Sequence, residues 1–199
     1  MAERGVQVEH TTIHRWVQDY APELDKRSRP FLNSTNDSWR VDETYIEVKG
    51  ELEIPVSSGG SEGNTLDFML SAKRNGKAAV RFCRKVLGAK HTHTPKVITV
   101  DKNVAYPVAM DELKEDKTLK AETELRQRKS LNNIIEQDHR NVKRIVKPMM
   151  GFQSFNTARR TLRGIEAVNM IRKGQVKGIN PEDSVSQVEF INEIFGVVA

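Results

Sequence analysis

The stretch Val97 to Asp101, VITVD, constrains this chain more than any other. It is short, apolar and β-branched, without the polar alternation of a half-exposed strand, and is typical of a strand buried inside a sheet. A carboxylate, Asp101, closes it at the carboxyl end, where open α/β sheets place their ligands. The surrounding segments supply the rest of such a sheet. Trp39 to Lys49 reads as a strand, and Asn64 to Asn75 contains a second. Gly76 to Lys90 reads as a helix, with Ala79, Phe82, Cys83, Val86 and Leu87 on one face and Gly88 near its end. Tyr106 to Asp116 is helical, Glu124 to Arg128 is a short strand, and Leu131 to Lys147 is a long helix stopped at Pro148. Further helices follow from about Asn156 to Lys173 and from Val185 onward. Alternating strands and helices indicate an α/β domain with a mixed sheet.

At 199 residues the chain is long enough for one core of ordinary domain size with appended elements. Its 32 Lys and Arg against 27 Asp and Glu leave a formal charge of +5, a modest basic balance that favours nucleic acid only weakly. No apolar stretch approaches the roughly 20 residues of a membrane span. The first ten residues are polar and lack a signal-peptide apolar region. A single cysteine excludes an intrachain disulfide, so a cytoplasmic protein is the default, with Cys83 a small buried side chain.

Ahead of the first strand, Ile13, Trp16, Val17 and Tyr20 recur at helical spacing within His10 to Leu24, and Pro22 is expected to end or kink that helix. Asp25 to Ser38 is polar and turn-rich and reads as a linker.

Three acids stand where acids are unusual. Asp42 interrupts a strand-like run, Asp101 ends the buried strand, and Glu136 lies on the shoulder of the apolar stripe of its helix. That stripe is Leu131, Ile134, Ile135, Val142, Ile145 and Val146; Asn132 and His139 share the shoulder with Glu136. Lys143, two turns on, is roughly 20° from Glu136 around the helix. Carboxylates brought together repel unless a divalent cation sits between them, and hard oxygen ligands favour Mg2+ or Mn2+. Two such ions polarise a phosphodiester for in-line attack, and Lys143 is placed to hold a phosphate. The competing reading leaves Asp42 on a strand surface, Asp101 capping a turn and Glu136 exposed.

These blocks carry a resemblance. WRVDETYIEVKG, VITVDKNVAYP and LNNIIEQDHRNVK resemble the three acidic blocks of bacterial transposases of the insertion-sequence-six family, and GFQSFNTARRTLRGIEAVNMIRKGQV resembles that family's C-terminal block. The family's catalytic domain belongs to the integrase, ribonuclease H-like superfamily. The resemblance implies a ribonuclease H-like mixed sheet flanked by helices and preceded by a partial helix-turn-helix. It implies Asp42, Asp101 and Glu136 as the DDE metal ligands for two Mg2+ or Mn2+ ions, with residues 102–135 between the second and third acids and Lys143 as the basic residue that follows. The implied activity is DNA cleavage and strand transfer at element ends, with terminal inverted repeats and target DNA as partners, a homo-oligomer, and a bacterial cytoplasmic location.

RGVQVEHTTIHRWVQDYAPEL is similar to the DNA-binding segment of the same family. Gly5 would then be the turn glycine, Val6 and Val8 would pack inward, and Thr11, Thr12, His14 and Arg15 would reach bases or phosphates. The alternative is an amphipathic helix contributing Trp16 and Tyr20 to a core. The implied domains are 1–24 (partial helix-turn-helix), 25–38 (linker), 39–150 (catalytic core) and 151–199 (C-terminal helical part). Arg159, Arg160, Arg163, Arg172 and Lys173 either track phosphates or form a solvated face. His91 and His93 read as a polar loop, with zinc the less favoured alternative.

Two departures from the family stand out. The chain begins inside the helix-turn-helix, so it reads as N-terminally shortened, with its recognition helix lacking the motif's first helix. Relatives typically continue KGEWKYLYRAVDSEGNTLDF where this chain has KGELEIPVSSGGSEGNTLDF. Inserting one T after the first codon of GAG TGG AAA TAC CTG TAT CGA GCG GTG GAT yields E-L-E-I-P-V-S-S-G-G. Loss of one base just afterwards restores S-E-G-N, so Leu52 to Gly60 reads as a compensated frameshift, either real or a sequencing error. The sequence leads to the expectation that Pro55 and the Gly/Ser run cost the domain its second strand, the neighbour of the one bearing Asp42. The expected protein is a transposase whose copy is damaged. The alternatives are a non-catalytic DNA-binding or dimerisation remnant and a general ribonuclease H-like nuclease.

Overall fold

Alternation decides how the first strand sits. In β1 (Ser38–Glu43) Trp39 and Val41 are each 1% exposed, while Arg40 and Asp42 between and beyond them are only half-buried. One face of β1 therefore belongs to a core and the other is left for polar groups. The computed structural model describes the backbone of residues 7–49, 51–60, 63–73, 75–128 and 133–197, and the side chains of these except 51–60 and 133–137.

The chain divides into two units, Leu32–Gln153 and a second made of Met1–Phe31 with Ser154–Ala199. In the first, β1 and β2 (Ile46–Val48) both pair antiparallel with β3 (Glu51–Gly60), whose other edge takes β4 (Thr65–Ser71). The expected single strand Trp39 to Lys49 is thus two, interrupted at Thr44 and Tyr45. On its far side β1 pairs in parallel with β5 (Val97–Val100), and β5 in parallel with β6 (Glu124–Gln127). Ile98 and Val100 are fully buried, as the apolar run requires. They join Trp39, Val41 and Leu66 in a core closed by Phe82, Cys83 and Val86 of α2 (Gly76–Leu87) and by Tyr106, Met110 and Leu113 of α3 (Ala105–Glu115). Burial pushes the Cys83 thiol up to about 12, consistent with a packing role. α4 (Asn133–Val146) packs on β1 and β3, burying His139, Val142 and Val146, and a short 3-10 turn over Lys147–Met149 carries Pro148 where the helix stops. Ile145, placed on the apolar stripe by sequence, is 39% exposed; Leu131 and Asn132 lie outside the described residues, as do the side chains of Ile134 and Ile135.

The expected loss of the second strand is not found. Residues Glu51–Gly60 form β3, paired along both edges. Main-chain ladders need no particular side chain, and Pro55 falls at a permissive place. The β2 edge ends at Glu53 and the β1 edge begins at Val56, so Ile54 and Pro55 pair only with β4. A missing N–H is tolerated where one edge of a strand changes neighbours.

In the second unit, α1 (His10–Ser28) packs on α5 (Phe155–Arg172), with α6 (Ser184–Phe195) beside them. Pro22 does not end α1, and the first residues of the expected linker are helical, followed by a 3-10 turn over Arg29–Phe31. Proline removes the N–H that would bond the carbonyl four residues back, that of Gln18. Arg160 on α5 supplies the replacement, its Nη1 donating to the Gln18 carbonyl at 3.2 Å, while Gln18 Nε2 donates to Thr161 Oγ1 at 2.8 Å. The helices meet where a Cβ at Gly164 would come within 2.5 Å of the Ala21 Cβ. Buried Asp25 holds the helix end, accepting from Arg29 Nε at 2.9 Å with Arg163 Nε at 3.9 Å. Arg160→Ala should therefore cost about 1–2 kcal/mol. In a Pro22→Ala background, where the amide returns, urea unfolding should show a clearly smaller loss. Equal losses in both backgrounds would mean that Arg160 does not stand in for the missing N–H.

Candidate active site

Parallel register brings two of the three acids together. Trp39 pairs with Ile98 and Arg40 with Thr99, and continuing two residues along each strand sets Asp42 opposite Asp101 at the carboxyl ends. Neighbouring strands lie about 4.8 Å apart, so the two residues stand level with one another at the ends of adjacent strands. β6 extends the row. Val100 pairs with Gln127, and the Arg128 N–H donates to the Val100 carbonyl at 3.0 Å, so Arg128 follows Asp101 as Asp101 follows Asp42. Arg126, two residues earlier on the same face, is held by Glu124 through two 2.9 Å bonds.

The opposite face anchors this row. Glu43, next to Asp42, turns inward and accepts from the Tyr106 hydroxyl at 3.0 Å and from Asn103 Nδ2 at 3.3 Å. Asn103 in turn gives its backbone N–H to Asp101 Oδ1 at 3.2 Å and accepts the Ala105 N–H at 3.0 Å. One asparagine thus ties the end of β1 to the loop that carries Asp101. Burial first, and then the Glu43 carboxylate, hold the Tyr106 phenol well above its ordinary value of 10, which keeps it a donor.

α4 closes the other side. His139 Nδ1 lies 3.2 Å from Asp42 Oδ2, with the two side chains only 8% and 17% exposed. Glu136 precedes His139 by three residues on the same helix, hence on the same side of it. Its side chain lies outside the described residues, and among those described no group of three acids, histidines or cysteines is placed to hold a metal. Lys143 is exposed, in a hollow it shares with Tyr45, Ile46, Val146 and Met150.

Thr11, Thr12, His14 and Arg15 belong to the other unit, on the first turns of α1; Thr12 is half-buried and the others are exposed. Trp16 and Tyr20 are 43% and 56% exposed, so they are not core residues of that helix, although the Tyr20 ring meets Phe195 edge-on at 6.2 Å. Gly5 and Val6 lie outside the described residues, and Val8 is half-buried. Of the basic residues on α5, Arg160 and Arg163 serve helix packing, while Arg159 and Arg172 are exposed. His91 is buried with its Nε2 3.4 Å from the Leu66 carbonyl, and the His93 N–H donates to Thr35 Oγ1. The pair is part of a structured loop.

Sequence patterning alone assigned no role to Glu43, Asn103, His139 or Arg128. The strand alternation that turns Glu43 away from Asp42, and the three-residue spacing of Glu136 and His139, were the available signals.

Two acids at the ends of adjacent parallel strands, beneath a helix that carries a third, match the arrangement expected of the ribonuclease H-like class. Solved structures agree on the fold. The bovine immunodeficiency virus (BIV) integrase catalytic core is 13% identical with a TM-score of 0.51, over 79% of this chain and 98% of that one. The HTLV-2 integrase catalytic core domain, solved in complex with magnesium, is 10% identical with a TM-score of 0.51, over 74% and 91%. A family model described as a DDE domain matches residues 36–175. The transposase for insertion sequence-like element IS431mec of Staphylococcus aureus is 36% identical over 191 residues, covering 94% of this chain and 83% of the relative. The transposase for insertion sequence element IS257 in transposon Tn4003, also from Staphylococcus aureus, is 36% identical over 188 residues, 92% and 81% of the two chains. This chain belongs to the DDE transposases of the insertion-sequence-six family.

Asn103→Ala should lower stability by about 1–2 kcal/mol in urea unfolding, and Tyr106→Phe by about 1 kcal/mol. A neutral Asn103→Ala would mean that the bridge from β1 to the Asp101 loop is not what holds the two strand ends.

Proposed function

We propose that this chain cleaves DNA at the ends of an insertion sequence and joins the freed ends to target DNA. Asp42, Asp101 and Glu136 would be the metal ligands. The observation that supports this reading is the parallel register that, continued two residues, sets Asp42 level with Asp101 at adjacent strand ends, with Asp42 beneath α4. Their donor set fits the group: half-buried carboxylate oxygens are hard ligands suited to Mg2+ or Mn2+. Two such ions, when bound, supply Lewis-acid stabilisation of charge on the phosphodiester oxygens. The chain's own residues do the rest. The three acids would hold the cations, and the Glu43–Asn103 bridge ties the end of β1 to the loop that carries Asp101. Lys143 and Arg128 are cations on either side of the acids for flanking phosphates. In the first reaction water replaces the 3′ oxygen at phosphorus and leaves a 3′-hydroxyl. In the second that hydroxyl attacks a target phosphodiester and displaces the target's 3′ oxygen, which leaves as a hydroxyl, with no covalent link to the protein. Thr11, Thr12, His14 and Arg15 on α1 contact the terminal repeats, and copies of the chain act together on paired ends.

Nicking of terminal-repeat DNA with Mg2+ or Mn2+ should fall to background in Asp42→Asn, Asp101→Asn and Glu136→Gln, with DNA binding retained. A second reading, a binding remnant, draws on the register that pairs Asp42 with Ser57, inside the aberrant segment. Binding without nicking by the unaltered chain would favour the remnant, and cleavage of RNA in hybrids would favour a general nuclease. Arg128→Ala should weaken binding equally across DNA sequences and reduce the slope of log K against log salt by about 0.9. An unchanged slope would remove Arg128 from the phosphate contacts.

A further inference from the structure

His139 does more than fill space beneath the sheet. It is buried, yet it is a polar side chain on a helix face otherwise docked by Val142 and Val146. A ring in that place without a polar partner would lower stability, so the contact it makes has a physical reason to exist. One partner is Asp42, through Nδ1 and Oδ2 at 3.2 Å. An ionised carboxylate only accepts, so Nδ1 carries the hydrogen and donates it. Of the two Asp42 oxygens, one is thereby assigned to the protein and the carboxylate plane is fixed.

We propose that His139 is the positioning residue of the metal site: its Nδ1–H orients Asp42 so that Oδ1 is presented to the cation, and the same bond sets the height of α4 over β1. Glu136, three residues earlier, lies about 4.5 Å back along the helix axis. Docking through His139 thus holds the Asp42 carboxylate and the helix turn whose backbone carries Glu136. Hydrogen bonds to ligating carboxylates orient them, and their loss typically weakens metal binding about 10- to 100-fold. The role rests on the metal-dependent reading above.

Asparagine and glutamine separate a hydrogen-bonding role from a packing one, because the Asn amide reaches the position of a histidine Nδ1 and the Gln amide that of Nε2. The probe is Mn2+ titrated into the full chain and followed by electron paramagnetic resonance, without DNA. His139→Leu and His139→Gln should bind Mn2+ at least about tenfold more weakly than the unaltered chain, and His139→Asn should recover most of the loss. Thermal unfolding without metal should not follow that order, since leucine preserves the packing. An imidazole 1H–15N spectrum should show the His139 proton on Nδ1 in the metal-free chain. Unchanged Mn2+ affinity in His139→Leu, equal losses in the Asn and Leu variants, or a ring protonated on Nε2 alone would each overturn the proposal. If the unaltered chain binds Mn2+ no better than Asp42→Asn, the metal reading itself fails and takes this role with it. That outcome is distinct from intact metal binding that ignores residue 139.

Discussion

Parallel pairing of β1 with β5 is the interaction on which the rest of this structure depends. It buries Trp39, Val41, Ile98 and Val100 on one side and, by the same register, sets Asp42 level with Asp101 at the strand ends. Among the described residues, fifteen form the buried core that packs beneath the strand ends. Around that pair the protein adds restraint from two directions. Glu43 and Asn103 tie the strand ends together from the core side, and His139 holds Asp42 from the helix side.

The segment Leu52 to Gly60 shows how far a sheet can tolerate poor strand residues. Composition argues against a strand there, because proline lacks a donor and glycine and serine bury little. Yet a strand flanked by two partners is supported by both ladders, and its one proline lies where one edge is handed from β2 to β1. Whatever the origin of those nine residues, main-chain pairing next to Asp42 survives them. The same logic operates in α1. Pro22 orphans a carbonyl, and Arg160 from another helix accepts the task of satisfying it. A basic residue that looks like a phosphate contact in a linear reading is thereby partly committed to holding two helices together.

Much of the fold was legible before any coordinates. The buried strand at Val97–Val100, the order of elements and the helix stops near Gly88 and Pro148 follow from periodicity and punctuation. The three acids could be found because each sits at an unusual place in its own element. The break in the first strand at Thr44 and Tyr45, the persistence of β3 and the passage of α1 through Pro22 were not legible. Each depends on what a neighbouring element offers.

The sequence by itself therefore determined the class of fold, the family, and the candidate acids Asp42, Asp101 and Glu136, since local periodicity and residue chemistry are properties of single segments. Only the tertiary structure decided that Asp42 stands opposite Asp101, that Asn103 and Glu43 brace them, that His139 bonds Asp42, and that Arg128 completes the row. The physical reason is register. Which residue faces which across a sheet is set by the packing of both strands at once, and no single segment carries that information.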